Sequence, residues 1–354
     1  MNKSQTQSIA QTVAQPDDGL RLEVWLARNV PGLSRHKAIE LIKDGAVSIN
    51  GKKVRKGVGV EAGETVRIKI PESQGPTLSE EPTLLFENPE LLIANKPAGM
   101  PCHPLRLGEY DTLLQWIGER FPEVAKAGPD PREGGLLHRL DTDTSGCVAF
   151  ARTRESFEKH RPLFLGKGIG KIYLAVVSNH ISNVGPSRGP NGGSNWGTNG
   201  ETNGEDNYLP EPGKGVRVID IPLARHPSDP SLMVALIRGG ERYRGEAMPA
   251  RTEIRTLAKG DGAALVEAKI ERGRMHQIRL HLAAIGHPII GDKTYNSNGG
   301  PNSGPHGGME SSSQPIERQA LHAWKLIIGN IEAVAPMPKD MKSLCAKKHI
   351  PLID

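Results

Sequence analysis

Three features of the chain predict an α+β fold in two units. Residues 20–70 pack short helical and strand patterns into a small basic segment. The remainder holds several short apolar strands and few strongly periodic helices. Two Gly- and Asn-rich stretches interrupt that remainder without any hydrophobic period. At 354 residues the chain is long enough for two domains and a large core.

Composition narrows the class. No run of 18 apolar residues exists, so no membrane span is expected. Met1 to Gly19 is polar and lacks a signal-peptide core, and residues 1–18 read as a disordered tail on a cytoplasmic protein. Cys102, Cys147 and Cys345 have no paired or metal-ligand spacing, which argues against disulfides and structural zinc. Cys102 beside His103 reads as a buried thiol. The net charge is +5. Leu20 to Ile70 holds eleven Lys or Arg against five Asp or Glu, so this unit carries the whole excess. That distribution fits a nucleic-acid-binding module.

Within this unit, Leu22, Trp25 and Leu26 share one helical face, and Pro31-Gly32 ends that helix. Ser34 is an N-cap for a second helix through Ile42. Ala46 to Ile49 is a strand entering an Asn50-Gly51 hairpin turn. Thr65 to Ile70 alternates as a further strand. The unit is bounded at 19–71, and 72–82 is a polar linker.

The second unit, 83–350, opens on the strand Leu91 to Ala94, turned by Pro97 and Gly99. Thr112 to Arg120 is a helix, and Lys171 to Val177 is an apolar strand with one Tyr. Residues 182–207 and 296–313 are flexible insertions; thirteen of the 26 residues in the first are Gly or Asn.

The chemistry concentrates at Gly135-Leu136-Leu137-His138-Arg139-Leu140-Asp141-Thr142-Asp143-Thr144-Ser145-Gly146, followed by the apolar run from Cys147. Two strands there would hold Asp141 on the loop between them. A carboxylate so placed can act as nucleophile or base. The same residues also suit a surface turn in which Asp and Thr cap backbone groups. A dense basic run, Glu271 to Leu282, continues through "AAIGHPIIGDKTY", and Ala320-Leu321-His322-Ala323-Trp324 follows. His276 and His281 are five apart, off the spacing of a zinc helix, and do not read as metal ligands.

The stretch from "LSRHKAIELIKDGAVSINGKKVRKG" to "GETVRIKI" resembles the S4-like RNA-binding domain. In that family the second helix and following loop face RNA phosphates. The resemblance assigns Arg35, Lys37, Lys43, Lys52, Lys53, Arg55 and Lys56 to RNA binding. "HRLDTDTSG" and "GRMHQIRLHLAAIGHPIIGDKTY" resemble the RluA-like pseudouridine synthases, over about Leu84 to Ile328. That likeness implies a mixed, mostly antiparallel sheet with a central cleft. The implied reaction detaches uracil from its ribose, turns it, and rejoins it through a ring carbon. Being an isomerisation, it needs no cofactor, and no metal site is expected.

The resemblance makes Asp141, Tyr173 and Arg279 the catalytic set. Arg279 pairs with the carboxylate, favouring its ionised form and orienting it. Tyr173 stacks on the uracil or relays a proton; on residue type alone it is a strand-core aromatic. Arg139 matches a side chain inserted into the RNA stack vacated by the flipped uridine. Leu321 matches an apolar position under the base, and core packing is the competing reading. His138 and Arg274 complete the expected substrate contacts. The partner expected is ribosomal RNA or a pre-ribosomal particle, met by a monomer. Transfer RNA is the alternative substrate. An inactive RNA-binding assembly protein is the second alternative, disfavoured because the catalytic set is complete. A glycosidase would need two separated carboxylates, and Asp143 lies only two positions from Asp141.

Overall fold

The computed structural model describes residues 6–30, 33, 35–55, 57–71, 80–104, 111–166, 168–179, 209–237, 239–295 and 316–352. Ser34, most of the 72–82 linker and both Gly/Asn-rich insertions lie outside the described residues.

The N-terminal unit has four strands, β1 (Thr6–Thr12), β2 (Val47–Ile49), β3 (Lys52–Lys53) and β4 (Thr65–Pro71), in the order β1-β4-β2-β3. Helices α1 (Leu22–Asn29) and α2 (Arg35–Lys43) accompany them. Leu22, Trp25, Leu26, Ala38, Ile42, Val47, Val66 and Ile68 form one buried cluster. Asn50 and Gly51 both have positive φ, as a two-residue hairpin turn requires. The expectation of a disordered tail over 1–18 is corrected for residues 6–18; residues 1–5 lie outside the described residues. Thr6 to Thr12 pairs antiparallel with Thr65 to Pro71 along its whole length. A polar sequence hides this strand because its stabilisation is backbone pairing, which closes the free edge of β4.

The second unit is built on a nine-stranded sheet. It comprises β5 (Thr83–Glu87), β6 (Leu91–Lys96), β7 (Ser145–Ala151), β8 (Ile169–Ser178), β9 (Arg217–Asp220), β13 (Arg251–Gly260), β14 (Ala263–Ile270), β15 (Leu321–Ile328) and β16 (Ile331–Val334). A small sheet in the order β11-β10-β12 uses β10 (Leu223–Arg225), β11 (Met233–Ala235) and β12 (Arg244–Met248). The helices are α3 (Leu113–Arg120), α4 (Arg154–Leu165), α5 (Gln277–Ala284) and α6 (Lys339–Lys347). The large sheet runs β5-β6-β7-β15-β8-β14-β13-β9, with β16 on β15. Its pairings are antiparallel except β7 with β15. The mixed, mostly antiparallel sheet expected from sequence is therefore present.

The central strands are apolar on both faces because both are covered. Leu91, Ile93, Cys147 and Ala149 pack with Phe157 and Phe164 of α4. Leu92, Ala94, Val148 and Phe150 pack with Leu113 and Ile117 of α3. Each fully buried Val, Leu, Ile or Phe among them contributes about 1.5–3 kcal/mol of hydrophobic stabilisation. Thr112 caps α3 through a reciprocal exchange with Gln115, so the helix starts where the strand-to-helix turn delivers it.

The one parallel pairing fixes the start of β7. His322 and Ala323 lie beside Ser145 and Gly146. Gly146 has φ +116, and a Cβ there would sit 2.2 Å from the Ala323 carbonyl oxygen. Gly146→Ala should therefore force β7 off β15 and destabilise the domain by more than about 2 kcal/mol. The shift of the thermal midpoint checks this.

Candidate active site

Asp141 stands in the turn just before β7. The Thr144 N–H donates to the Asp141 carbonyl at 3.0 Å, closing that turn. Upstream, Leu137 N–H donates to Ala149 and Leu136 bridges to Phe150, so the chain runs beside β7 without forming a full strand. The loop is then gripped from behind. The Lys96 ammonium is fully buried and donates to the carbonyls of Pro97 at 3.0 Å, Met100 at 2.7 Å and Thr142 at 2.8 Å. Burial lowers its pKa to about 8, against the opposing pull of Cys102, Asp143 and Asp141. Gly99 N–H also donates to Thr142. Leu140 N–H donates to the Cys102 thiol at 3.3 Å. Cys102 is buried, as expected, and is part of the loop's support.

From the far side, Arg318 holds the same loop. Its Nη1 donates to the Asp143 carbonyl at 3.2 Å, and also to Gln319 and Leu321. Its Nε and Nη2 form a fork with Asp340 at 2.6 and 2.9 Å. Helix α6 is thus tied to the backbone on either side of the site.

Helix α5 brings Arg279 to Asp141. Arg279 Nη1 donates to Asp141 Oδ2 at 3.1 Å. Its Nε and Nη2 donate to Asp292 at 2.7 and 2.9 Å. Asp292 in turn accepts from the Thr294 and Tyr295 N–H groups at 2.9 and 3.0 Å. Burial would raise the Asp292 pKa, yet the Arg279 fork and these two N–H groups bring it below 3.8. Arg279 is itself buried, and its two carboxylate partners more than offset the cost, keeping it charged. Its guanidinium also lies 5.0 Å from the centroid of the Tyr295 ring.

His276 completes the cluster. It sits at the start of α5 with φ 57 and ψ 17, a strained left-handed conformation for a residue other than glycine. Its Nε2 is 3.9 Å from Asp141 Oδ2, and its Nδ1 is 2.8 Å from the Tyr295 hydroxyl. The Tyr295 hydroxyl accepts from Met233 N–H at 3.1 Å. In the tautomer in which this hydroxyl donates to His276 Nδ1, the imidazole N–H lies on Nε2, the nitrogen nearer Asp141. Burial lowers the His276 pKa below 6.5 despite Asp141.

Tyr173 is buried in β8, within the same apolar cluster as Leu321. Burial first, then the Asp141 charge, raises its pKa, so the phenol stays protonated. Arg139 is exposed, and its charge reaches His276 and Cys102. Arg274 is half-buried, with its Nε 3.4 Å from the Pro249 carbonyl.

His138 departs from expectation. Its ring stacks on Phe164 with centroids 4.8 Å apart, and its Nε2 accepts from Ala149 N–H at 3.2 Å. Burial holds its pKa well below 6.5. A neutral imidazole spent on a strand N–H and a core aromatic is a structural prop, so the expected substrate contact is withdrawn. His281 is structural too, bonded to Thr252 and to the Ile221 carbonyl.

Among the expected RNA contacts of the first unit, Arg35, Lys43, Lys52, Lys53 and Arg55 are exposed along α2 and the β2–β3 hairpin. Arg35 also pairs with buried Glu23 at 3.6 Å. The Lys37 side chain and Lys56 lie outside the described residues.

Residues 90–284 match the RNA pseudouridylate synthase family, and residues 20–66 match the S4 domain. The ribosomal large subunit pseudouridine synthase D of Nitrosomonas europaea is 30% identical over 342 residues, covering 93% of this chain and 85% of the relative. Its namesake in Xanthomonas campestris is 30% identical, covering 95% and 92%. The human RNA pseudouridylate synthase domain containing 4 protein shares the fold, with a TM-score of 0.51 and 22% identity, over 77% of this chain and 94% of that one. The family match spans more than half the chain and takes in the loop of Asp141 and the helix segment of Arg279. The chain belongs to the RNA pseudouridylate synthase family and carries an S4 domain on its N-terminal side.

Proposed function

We propose that the protein converts uridines of large-subunit ribosomal RNA to pseudouridine, with the Asp141 carboxylate as the reacting group. The observation that carries this reading is the Arg279 contact. One buried guanidinium spends two N–H groups on Asp292 and aims its third nitrogen at Asp141. A partly exposed carboxylate is thereby fixed in direction without being walled in. In the reaction the bond from ribose C1′ to uracil N1 breaks and a bond from C1′ to C5 forms. The C5 proton is lost and N1 gains one. Asp141 either attacks the sugar or ring, or abstracts a ribose proton. Tyr173, buried beside it, offers a ring face for stacking and a phenol that holds its proton. Arg139, exposed on the same loop, fills the gap left by the flipped uridine.

Ribosomal RNA is favoured by the S4 domain and by the names of the relatives. The reading places a monomeric enzyme with that RNA in the cytoplasm. Purified protein given large-subunit ribosomal RNA and transfer RNA transcripts should form pseudouridine in the former. Product confined to transfer RNA, or none in either, would overturn the assignment.

The S4 domain should act as an anchor. Neutralising Lys52, Lys53 and Arg55 to Gln in the full chain should weaken RNA binding. The log–log salt slope should flatten by about 2, at roughly 0.7–0.9 per phosphate contact. The single-turnover rate at saturating RNA should change less than about twofold. Affinity at several salt concentrations checks the first expectation and rapid quench the second.

A further inference from the structure

The small β10–β12 sheet carries charges that neither the S4 domain nor the Asp141 cluster uses. Arg244, the first residue of β12, lies directly opposite Arg225 of β10 in the antiparallel register. Both side chains are exposed. Neither forms an ion pair with a carboxylate among the described residues, and Glu246, two residues along β12, does not neutralise them. Like charges facing each other across a strand pair are destabilising. Edge protection accounts for basic residues on β12, an edge strand. It does not account for Arg225, because β10 is the central strand of this sheet. An unbalanced pair of exposed arginines, paired across the two strands beside a register shift at Leu223 and Arg225, is what a polyanion would repay.

The neighbouring residues narrow the anion. Arg242 and Tyr243 precede Arg244 and are also exposed, Tyr243 by 45%. A large aromatic between two arginines offers a flat face beside cations. That combination suits a nucleic-acid strand, whose phosphates meet Arg and whose unpaired bases stack on Tyr.

The sheet is also tied to the reaction centre. Met233 N–H of β11 donates to the Tyr295 hydroxyl, which bonds His276, and His276 Nε2 is 3.9 Å from Asp141. At the other end, Arg274 reaches the carbonyl of Pro249, immediately after β12.

We propose that Arg225, Arg242, Tyr243 and Arg244 form a second RNA-binding surface, on the catalytic domain itself, which holds the strand flanking the target uridine. Arg225 and Arg244 take backbone phosphates, and Tyr243 takes an unpaired base. The proposal rests on the reading that this RNA is the substrate.

The test uses full-length protein and a large-subunit ribosomal RNA fragment. Three variants are compared with wild type: Arg225→Gln/Arg244→Gln, Tyr243→Ala and Tyr243→Phe. The double variant should bind at least about 10-fold more weakly at low salt. Its log–log salt slope should be flatter by about 1.5, two phosphate contacts at roughly 0.7–0.9 each. Its thermal midpoint should stay level or rise, because a repulsive pair is removed. Tyr243→Ala should weaken binding about 10-fold, within the 1–3 kcal/mol of a base–aromatic stack, at unchanged slope, and Tyr243→Phe should restore it. Single-turnover rates at saturating RNA should stay within about twofold. Unchanged affinity and slope in the double variant would overturn the proposal, and so would weaker binding at an unaltered slope. Affinity is read without turnover. Wild type that binds but forms no pseudouridine would therefore overturn the functional reading alone.

Discussion

Asp141→Asn should abolish pseudouridine formation while leaving the fold and RNA affinity in place. The substitution is nearly isosteric and removes only the capacity to attack or accept a proton. General acid–base steps alone are worth about 10²–10⁴ in rate, and nucleophilic use of the carboxylate would add to that. A loss of at least about 10³-fold is expected in single-turnover assays. Stability should move by less than about 1 kcal/mol, because the Asp141 side chain is partly exposed and Arg279 keeps its fork on Asp292. Thermal melting and filter binding of the purified variant check both halves.

Asp292→Ala should do the opposite and damage stability and rate together. Arg279 would remain buried with its main counter-charge gone, which costs about 3–5 kcal/mol. The thermal midpoint should fall by about 10 °C, at roughly 2–4 °C per kcal/mol in a domain of this size. Turnover should fall as well, because Arg279 is no longer aimed at Asp141. Asp292→Asn should recover part of the stability, since an amide oxygen can still accept from the Thr294 and Tyr295 N–H groups. The pH dependence follows from the sign of the shift. The folded Asp292 pKa lies below its ordinary value, so its contribution is complete above that value. It is lost only as pH falls through the lowered, folded pKa. Acid melts of wild type and Asp292→Asn should therefore converge only as pH falls through that lowered, folded pKa.

Local pattern made much of the fold legible. The apolar face of Leu22, Trp25 and Leu26, the Asn50-Gly51 turn, and the runs at Leu91, Cys147 and Lys171 each became the expected element. The loop of Asp141 and its Arg279 partner were also legible, because their motifs are compact in sequence. What stayed hidden depends on tertiary contact. Asp292 and Tyr295 sit inside a quoted motif, but a separation of 13 residues from Arg279 has no helical or strand period that would pair them. Lys96 looks like an ordinary charge before a Pro-Gly turn until three carbonyls close around it. His138 borders the reactive loop in sequence, yet its ring packs on Phe164, and only the packing of α4 reveals that. Strand β1 was missed because a polar strand declares itself through its partner.

The most direct test of the account is a nucleotide-resolution pseudouridine map of total RNA from cells with the gene, without it, and with the gene encoding Asp141→Asn. Specific large-subunit ribosomal RNA sites should vanish on deletion, return with the wild-type gene, and stay absent with the Asn variant. A map unchanged by deletion, or one restored by Asp141→Asn, would contradict it.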